Sequence, residues 1–240
     1  MNQQLEGIFI KKIPYNDSLS LAYIYTKENG LLTFLYRNKK KFNSFLFPLS
    51  IISITTKLRQ NRELNYIEDV GYKVLTYSLR TDVHKLNIAQ FISEFIYILS
   101  PFPCSDDKMY NFIKNWIIVL EKSTDKLIGI WHIFFLFRMT NFIGIKPTLN
   151  YNEANIFFDL VHGEFSAIYN ENTIRKDLSF FWFQFLTIED DIKELAKINL
   201  NKSQKYELID SILRYYLLHF NNNLKINSLE ILKEFYEIEL

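Results

Sequence analysis

Four histidines, a single cysteine and one carboxylate–histidine–carboxylate triplet are the residues of this 240-residue chain with the chemistry for catalysis or metal binding. The histidines are His84, His132, His162 and His219, and none belongs to an HExxH pair or stands beside a cysteine motif. Asp159, His162 and Glu164 are close enough in sequence for a metal cluster, or for the working groups of a hydrolase or transferase. They fall within "IFFDLVHGEFSAIY" (residues 156–169), which reads as a β-hairpin turning at His162-Gly163. In such a hairpin Asp159 shares a face with Val161 and the turn carries His162 outward, so the triplet reads as hairpin surface. His132 lies within the apolar run "LIGIWHIFFLF" and reads as a packed, hydrogen-bonded histidine rather than a base. Cys104, alone, excludes an intramolecular disulfide and a cysteine-rich zinc site, and it fits a reducing cytoplasm. There is no G-x-S-x-G elbow, and the six glycines form neither GxGxxG nor GxxxxGK[ST]. A P-loop ATPase and a Rossmann dehydrogenase are thereby set aside, and the chain reads as a binding protein, not an enzyme, with no cofactor.

The other chemistry is cationic. "YRNKKKFNSFLFP" (residues 36–48) sets Arg37, Lys39, Lys40 and Lys41 among aromatic rings, and Lys11, Lys12, Lys57, Arg59 and Arg62 lie in the same third of the chain. Cations at this density can track phosphates while rings stack on bases, which is how single-stranded nucleic acid is held. Tyr36, Phe42 and Phe45 are the stacking candidates. A plainer reading has Phe45 and Phe47 filling a barrel and the lysines keeping a turn solvated. Asn, Lys, Ile, Phe and Tyr all have A- and T-rich codons, so the argument rests on position rather than abundance. Position is informative. The net charge is only +1, yet residues 1–80 hold twelve Lys and Arg against six Asp and Glu, and the remainder holds sixteen against 21. A basic front and an acidic back predict two modules with different partners.

The elements that must position these cations change in kind near residue 80. Before it come five short β-type runs: "LEGIFIKKI", "SLSLAYIYT", "LLTFLYR", "FPLSIISITTKL" and "ELNYIEDVGYKVL". "SLSLAYIYT" puts Leu19, Leu21, Tyr23 and Tyr25 on one face, and Asn29-Gly30 marks a tight hairpin. Five strands in so short a stretch predict a small closed barrel, since an open sheet would leave its edges unpaired. After residue 80 the period is helical. Thr81 or Asp82 is the expected cap of a helix with Ile88, Phe91, Ile92, Phe95 and Leu99 on one face. Ser105 opens a second helix presenting Phe112, Trp116, Val119 and Leu120. Ile209, Ile212, Leu213, Tyr216, Leu217 and Phe220 stripe a later one, and Asn227 with Glu230 has capping-box spacing for the last. The runs "LIGIWHIFFLF" and "LSFFWFQFLTI" are too short to cross a bilayer and read as buried helices, and the opening "MNQQLEGIFIKK" carries no targeting pattern. The expected class is α+β: an N-terminal five-stranded OB-type barrel over 1–80, then an α-helical domain over 81–240 with a small hairpin near 156–169.

Taken in order, several stretches resemble the RecO family of bacterial recombination and repair mediators. They are "YNDSLSLAYIYTKENGL", the basic turn, "FPLSIISITTKLRQNRELNYIEDV", "FRMTNFIGIKPTL", "FFDLVHGEFS" and "LRYYLLHFNNNLKINSLEIL". The likeness runs over nearly the whole chain. It implies a non-enzymatic mediator that binds and anneals single-stranded DNA, contacts RecR and the C-terminal tail of single-strand-binding protein (SSB), and helps load RecA. It also implies a barrel that carries the DNA and a helical domain that meets protein partners, with Arg138 the candidate basic residue of an SSB-tail pocket. Many members of that family carry four zinc-binding cysteines after the Gly-x-x-Pro turn. Here "IKPTLNYNEANIFF" has none, so zinc is expected to be absent and hairpin packing to hold that segment. The alternative is a helical protein adaptor whose barrel is only scaffold.

Overall fold

The computed structural model describes residues 2–57, 64–99, 106–123, 125–189, 192–220 and 225–238. The expected N-cap Ser105, together with Cys104, Arg59 and Arg62, lies outside the described residues. The chain forms two compact units, one of residues 1–123 with 226–235, the other of residues 124–225 with 236–240.

The first unit is built on strands β1 (Gln3–Pro14), β2 (Leu19–Thr26), β3 (Gly30–Arg37), β4 (Ile51–Thr56) and β5 (Asn65–Tyr72). They close in the order β1-β2-β3-β5-β4. All neighbours are antiparallel except β3 and β5, whose parallel pairing of Phe34 with Asn65 and Leu35 with Tyr66 seals the barrel. The turn from β2 to β3 falls at Asn29-Gly30 as the sequence indicates. Gly30 has φ 66°, which a side chain would strain, and Thr26 Oγ1 donates to the Gly30 carbonyl while accepting from the Asn29 N–H.

The interior is filled by Leu5, Phe9, Ala22, Ile24, Phe34, Tyr36, Ile52, Ile54, Ile67 and Val70. The four-residue helix α1 (Lys40–Asn43) plugs one end, with Phe42 and Leu46 joining the same cluster. The face of β2 that carries Leu19, Leu21, Tyr23 and Tyr25 is not the one that fills the barrel. Ala22 and Ile24 face inward, and the face carrying Tyr23 and Tyr25 is outside. That outer face is covered by helices of the same unit: Tyr23 meets Tyr97 edge-on at 5.1 Å and Tyr25 stacks on Tyr110 at 6.1 Å.

Those helices are α2 (Ser78–Thr81), α3 (Val83–Leu99) and α4 (Asp107–Lys122). The last barrel strand ends at Tyr72, and the compact unit continues to Ser123. Asp82 caps α3, its Oδ1 accepting from the N–H groups of His84 and Lys85, and the expected stripe of Ile88, Phe91, Ile92, Phe95 and Leu99 is buried. Asp106 caps α4 through Lys108 and Met109. The buried face of α4 is Met109, Tyr110, Ile113, Trp116, Ile117 and Leu120, so Phe112 and Val119 sit only at its margins.

The last helix, α9 (Ser228–Ile238), starts in this unit, and its cap is not the expected Asn227–Glu230 box. Glu94 of α3 takes that role across 133 residues: Oε1 accepts from the backbone and side-chain N–H of Asn227, and Oε2 from the N–H and Oγ–H of Ser228. A carboxylate at a helix N-terminus satisfies donors the helix itself cannot. Burial raises the Glu94 carboxyl, but the four donors outweigh it and hold the group below the ordinary carboxylate value. A depressed folded-state value means that this stabilisation is complete above the unfolded value, near pH 4.3, and disappears as pH falls through the folded one. Glu94→Gln is therefore expected to cost about 2 kcal/mol at pH 7 and progressively less below pH 4, read by denaturant titration across that range.

The second unit holds α5 (Asp125–Phe142), strands β6 (Phe157–Asp159) and β7 (Glu164–Ser166), α6 (Lys176–Thr187), the short α7 (Ile192–Leu195) and α8 (Lys202–Phe220). β6 and β7 form the expected hairpin, turning through Gly163 at φ 69°. Its root packs Phe158 on Trp182 at 4.0 Å, and Trp182 meets Phe137 of α5 edge-on at 4.8 Å. The segment leading to the hairpin is tied down by an amide and a ring. Asn150 pairs with both backbone groups of Phe165, at 2.7 and 2.9 Å, and Tyr151 stacks on Phe183 at 4.6 Å. On α8, Ile209, Ile212, Leu213 and Tyr216 are buried while Leu217 is exposed.

Candidate nucleic-acid interface

The strand ladder decides where each cation stands. β3 ends at Arg37, which pairs with Leu19 at the start of β2, and the β1–β2 turn lies beside it, with the Asn38 N–H donating to the Ser18 carbonyl at 2.9 Å. Lys39 and Lys40 follow directly, entering α1. Lys12 is two residues before Pro14, the partner of Ser20, and so lies at the same end of the barrel. Lys12, Arg37, Lys39 and Lys40 are all exposed, and among the described residues none of them has an acidic partner. The turn itself is ordered by Asn16, whose Oδ1 accepts from the N–H groups of Ser18 and Leu19.

The remaining candidates are placed differently. Lys41 shares this end but is paired with Asp69 of β5 at 2.8 Å. The hydrogen bond from Lys41, aided by the Val70 N–H, holds the Asp69 carboxyl below its ordinary value. Lys57, beyond the far end of β4, pairs with Glu68 at 3.2 Å. Lys11 points to the other face of β1, its Nζ lying 3.8 Å from the centre of the Tyr97 ring. The described residues thus gather four of the nine expected barrel cations without neutralising them, gather a fifth with its counter-charge, and send two elsewhere. Arg138 sits half-buried near the end of α5, in the second unit.

The aromatic candidates need correcting. Tyr36 and Phe42 are buried in the barrel core, and Phe45 packs against it at 4.6 Å from Tyr72. Tyr36 and Phe42 present no face, and Phe45 is half-buried. The exposed ring near the basic end is Tyr15, 57% exposed in the β1–β2 turn; Tyr66, 50% exposed on β5, lies beside Thr56 at the end of β4. Tyr15 was legible in principle, because a tyrosine directly before Asn16-Asp17 stands on a turn, where it cannot be buried by its own strand.

The Asp159, His162 and Glu164 triplet is placed in the hairpin. Asp159 Oδ1 accepts from the N–H groups of Val161 and His162, and Oδ2 lies 3.0 Å from the His162 ring, so the carboxylate caps the hairpin turn. Burial raises the Asp159 carboxyl, but the bonds from His162 and Val161 outweigh it and bring it below its usual value. His132 is fully buried; burial, with Lys205 nearby, pushes it down to about 3, so the ring is neutral at ordinary pH. Among the described residues no group of three or more His, Cys, Asp and Glu is arranged to hold a metal ion, and no helix is long and apolar enough to cross a membrane.

A closed five-stranded barrel in the order 1-2-3-5-4, plugged by a helix after β3 and basic on the loops at that end, defines an oligonucleotide/oligosaccharide-binding (OB) barrel. Residues 1–72 match the family model described as "Recombination protein O N terminal". Beyond the barrel, the chain is similar over nearly its whole length to proteins named DNA repair protein RecO. It is 27% identical to that of Azobacteroides pseudotrichonymphae, covering 99% of this chain and 100% of the relative. It is 27% identical to that of Porphyromonas gingivalis, covering 89% and 90%, and 26% identical to that of Bacteroides fragilis, covering 99% and 100%. In its barrel the chain is thus similar to that family model, and from end to end it is similar to proteins named DNA repair protein RecO.

Proposed function

We propose that this chain is a non-enzymatic recombination mediator of the cytoplasm that binds and anneals single-stranded DNA through the basic end of its barrel. In this reading the helical unit meets RecR and the C-terminal tail of SSB, the latter through Arg138, and the complex helps load RecA onto strands that SSB has coated. The observation that carries the DNA part is the set of Lys12, Arg37, Lys39 and Lys40, exposed and without an acidic partner among the described residues, beside the exposed Tyr15. Four phosphate contacts on a single strand predict a fall of log affinity with log salt of slope about −2.8, taking −0.7 per contact. Fluorescence titration of a labelled oligonucleotide from 50 to 200 mM salt tests this, and the reading is lost if no binding is detectable at the low-salt end.

Asp69 gives the same site a second handle. Both members of its pair with Lys41 are mostly exposed, at 63% and 60%, so the pair contributes little to stability and opens at little cost. Within the proposed interface Asp69 competes with phosphate for Lys41. Asp69→Asn is expected to raise oligonucleotide affinity about threefold and to steepen the salt slope by about 0.7, with the thermal midpoint unmoved.

One observation favours the adaptor alternative: β5 neutralises two expected cations, Lys41 and Lys57. A pull-down with an SSB tail peptide and RecR in the absence of DNA separates the two readings. Capture of both partners by a chain with no oligonucleotide affinity would establish the adaptor.

A further inference from the structure

We infer that a groove beside the second half of β1 receives one unstacked nucleobase of a bound single strand. The inference rests on the single-strand reading above and adds a base-binding subsite to it. The groove lies wholly within the first unit and has a volume of about 420 Å³, within the range of small-ligand sites. Phe9, Ile10, Leu46 and Pro48 form its apolar wall on the barrel side, and Ile231 of α9 stands opposite, 47% exposed.

The backbone is bent to keep this groove open. The β1–β4 ladder stops at Ile8 and Ile51, and the register of β1 shifts between Phe9 and Lys11. A bulge of this kind ends pairing and re-aims the strand. The Ile10 carbonyl, released from the ladder, is taken by Ser93 Oγ of α3. Leu49, fully buried, is held at φ 61°, a conformation that a branched apolar residue avoids, and its N–H donates to the Phe9 carbonyl at 2.8 Å. Strain of this sort persists where the surroundings enforce it, and it collects at binding sites.

The chemistry at the rim suits a nucleotide. Lys12 pairs across the ladder with Ala22, a residue of the barrel interior, so it stands on the inner side of β1 at the mouth of the groove. It is also one of the four cations of the basic end without an acidic partner among the described residues, so the groove and the phosphate track share a residue. A strand running along that track can place a phosphate on Lys12 and turn the attached base into the groove. Gln90, exposed on the opposite rim, offers an amide donor and acceptor to a base edge. Glu94, an ionised carboxylate bonded to Asn227 and Ser228, also lines the groove, so the phosphate belongs at Lys12 and only the uncharged base enters.

The test compares an oligothymidylate with an abasic strand of equal length. Ile231→Trp, which fills the groove from its exposed side, is expected to weaken oligothymidylate binding about tenfold, the size of one lost base contact, and abasic-strand binding less than about twofold. A parallel readout uses a strand carrying 4-thiothymine, photo-crosslinked to the unaltered chain and mapped by mass spectrometry. Crosslinks in residues 9–12, 46–48, 90–94 or 227–231 support the subsite. Equal weakening of both strands, an unaffected variant, or crosslinks confined to the outer face of β2 and β3 would overturn it while leaving the phosphate track intact. The groove would belong to a peptide instead if Ile231→Trp spared both strands yet lost retention of an acidic peptide. No binding of either strand by the unaltered chain would overturn the single-strand reading itself.

Discussion

Reversing Arg37, Lys39 and Lys40 together to glutamate is expected to reduce affinity for a single-stranded oligonucleotide by at least about 100-fold at 50 mM salt. Three contacts worth about 1 kcal/mol each, a low figure for hydrogen bonds to a charged group, already give that factor before repulsion is added. The residual salt slope should fall from about −2.8 to about −0.7, the value for Lys12 alone. Stability should not change, because the three side chains are exposed and the barrel core lies in Phe34, Tyr36 and their neighbours instead. That separation makes the variant decisive. A loss of binding with an unmoved thermal midpoint assigns the interface to this end of the barrel. Full binding would mean that the phosphates go elsewhere, with Arg59 and Arg62 of the β4–β5 connection the next positions to reverse.

Why this end, and not the whole basic third, is a matter of pairing that sequence spacing does not reveal. The strands were legible because each is short, β-branched or aromatic, and bounded by turn residues, and Asn29-Gly30 fixed one hairpin outright. The sense of the barrel was not legible. β2 is apolar on both faces, one filling the barrel and the other meeting α3 and α4, so alternation alone cannot say whether Tyr23 or Ile24 points inward. The same ambiguity hid Tyr36 and Phe42 in the core and left Tyr15 and Tyr66 unnoticed at the surface. Charge was legible as a total but not as a field. Lys41 meets Asp69 across 28 residues, and only the closure of β3 on β5 brings β5 to that side of α1. The cap of α9 by Glu94 is a longer-range case, where a local capping box gave way to a carboxylate that tertiary packing delivers.

Trp182→Ala is expected to lower the stability of the second unit by about 3–5 kcal/mol, the range for removing a buried aromatic from a packed core. Trp182 is fully buried, with Phe158 stacked on it at 4.0 Å, Phe137 against its edge at 4.8 Å and Tyr215 at 5.5 Å. Its indole N–H donates to Ser211 Oγ at 2.9 Å. Truncation empties the space under the hairpin root and leaves Phe158 without its principal partner. For a domain of about 100 residues this should lower the thermal midpoint by roughly 15 °C or more. Trp182→Phe keeps a ring in place and loses the one hydrogen bond, so about 1–2 kcal/mol is expected. The hairpin and the segment before it are held by rings and by the Asn150 amide pairing with Phe165, so a strong chelator should leave the midpoint of the unaltered chain unmoved. A fall on chelation would show that a metal ion, rather than Trp182 and its neighbours, carries the hairpin. Below the lowered midpoint, Trp182→Ala should bind an oligonucleotide as the parent does, since the proposed phosphate track and base groove both lie in the other unit.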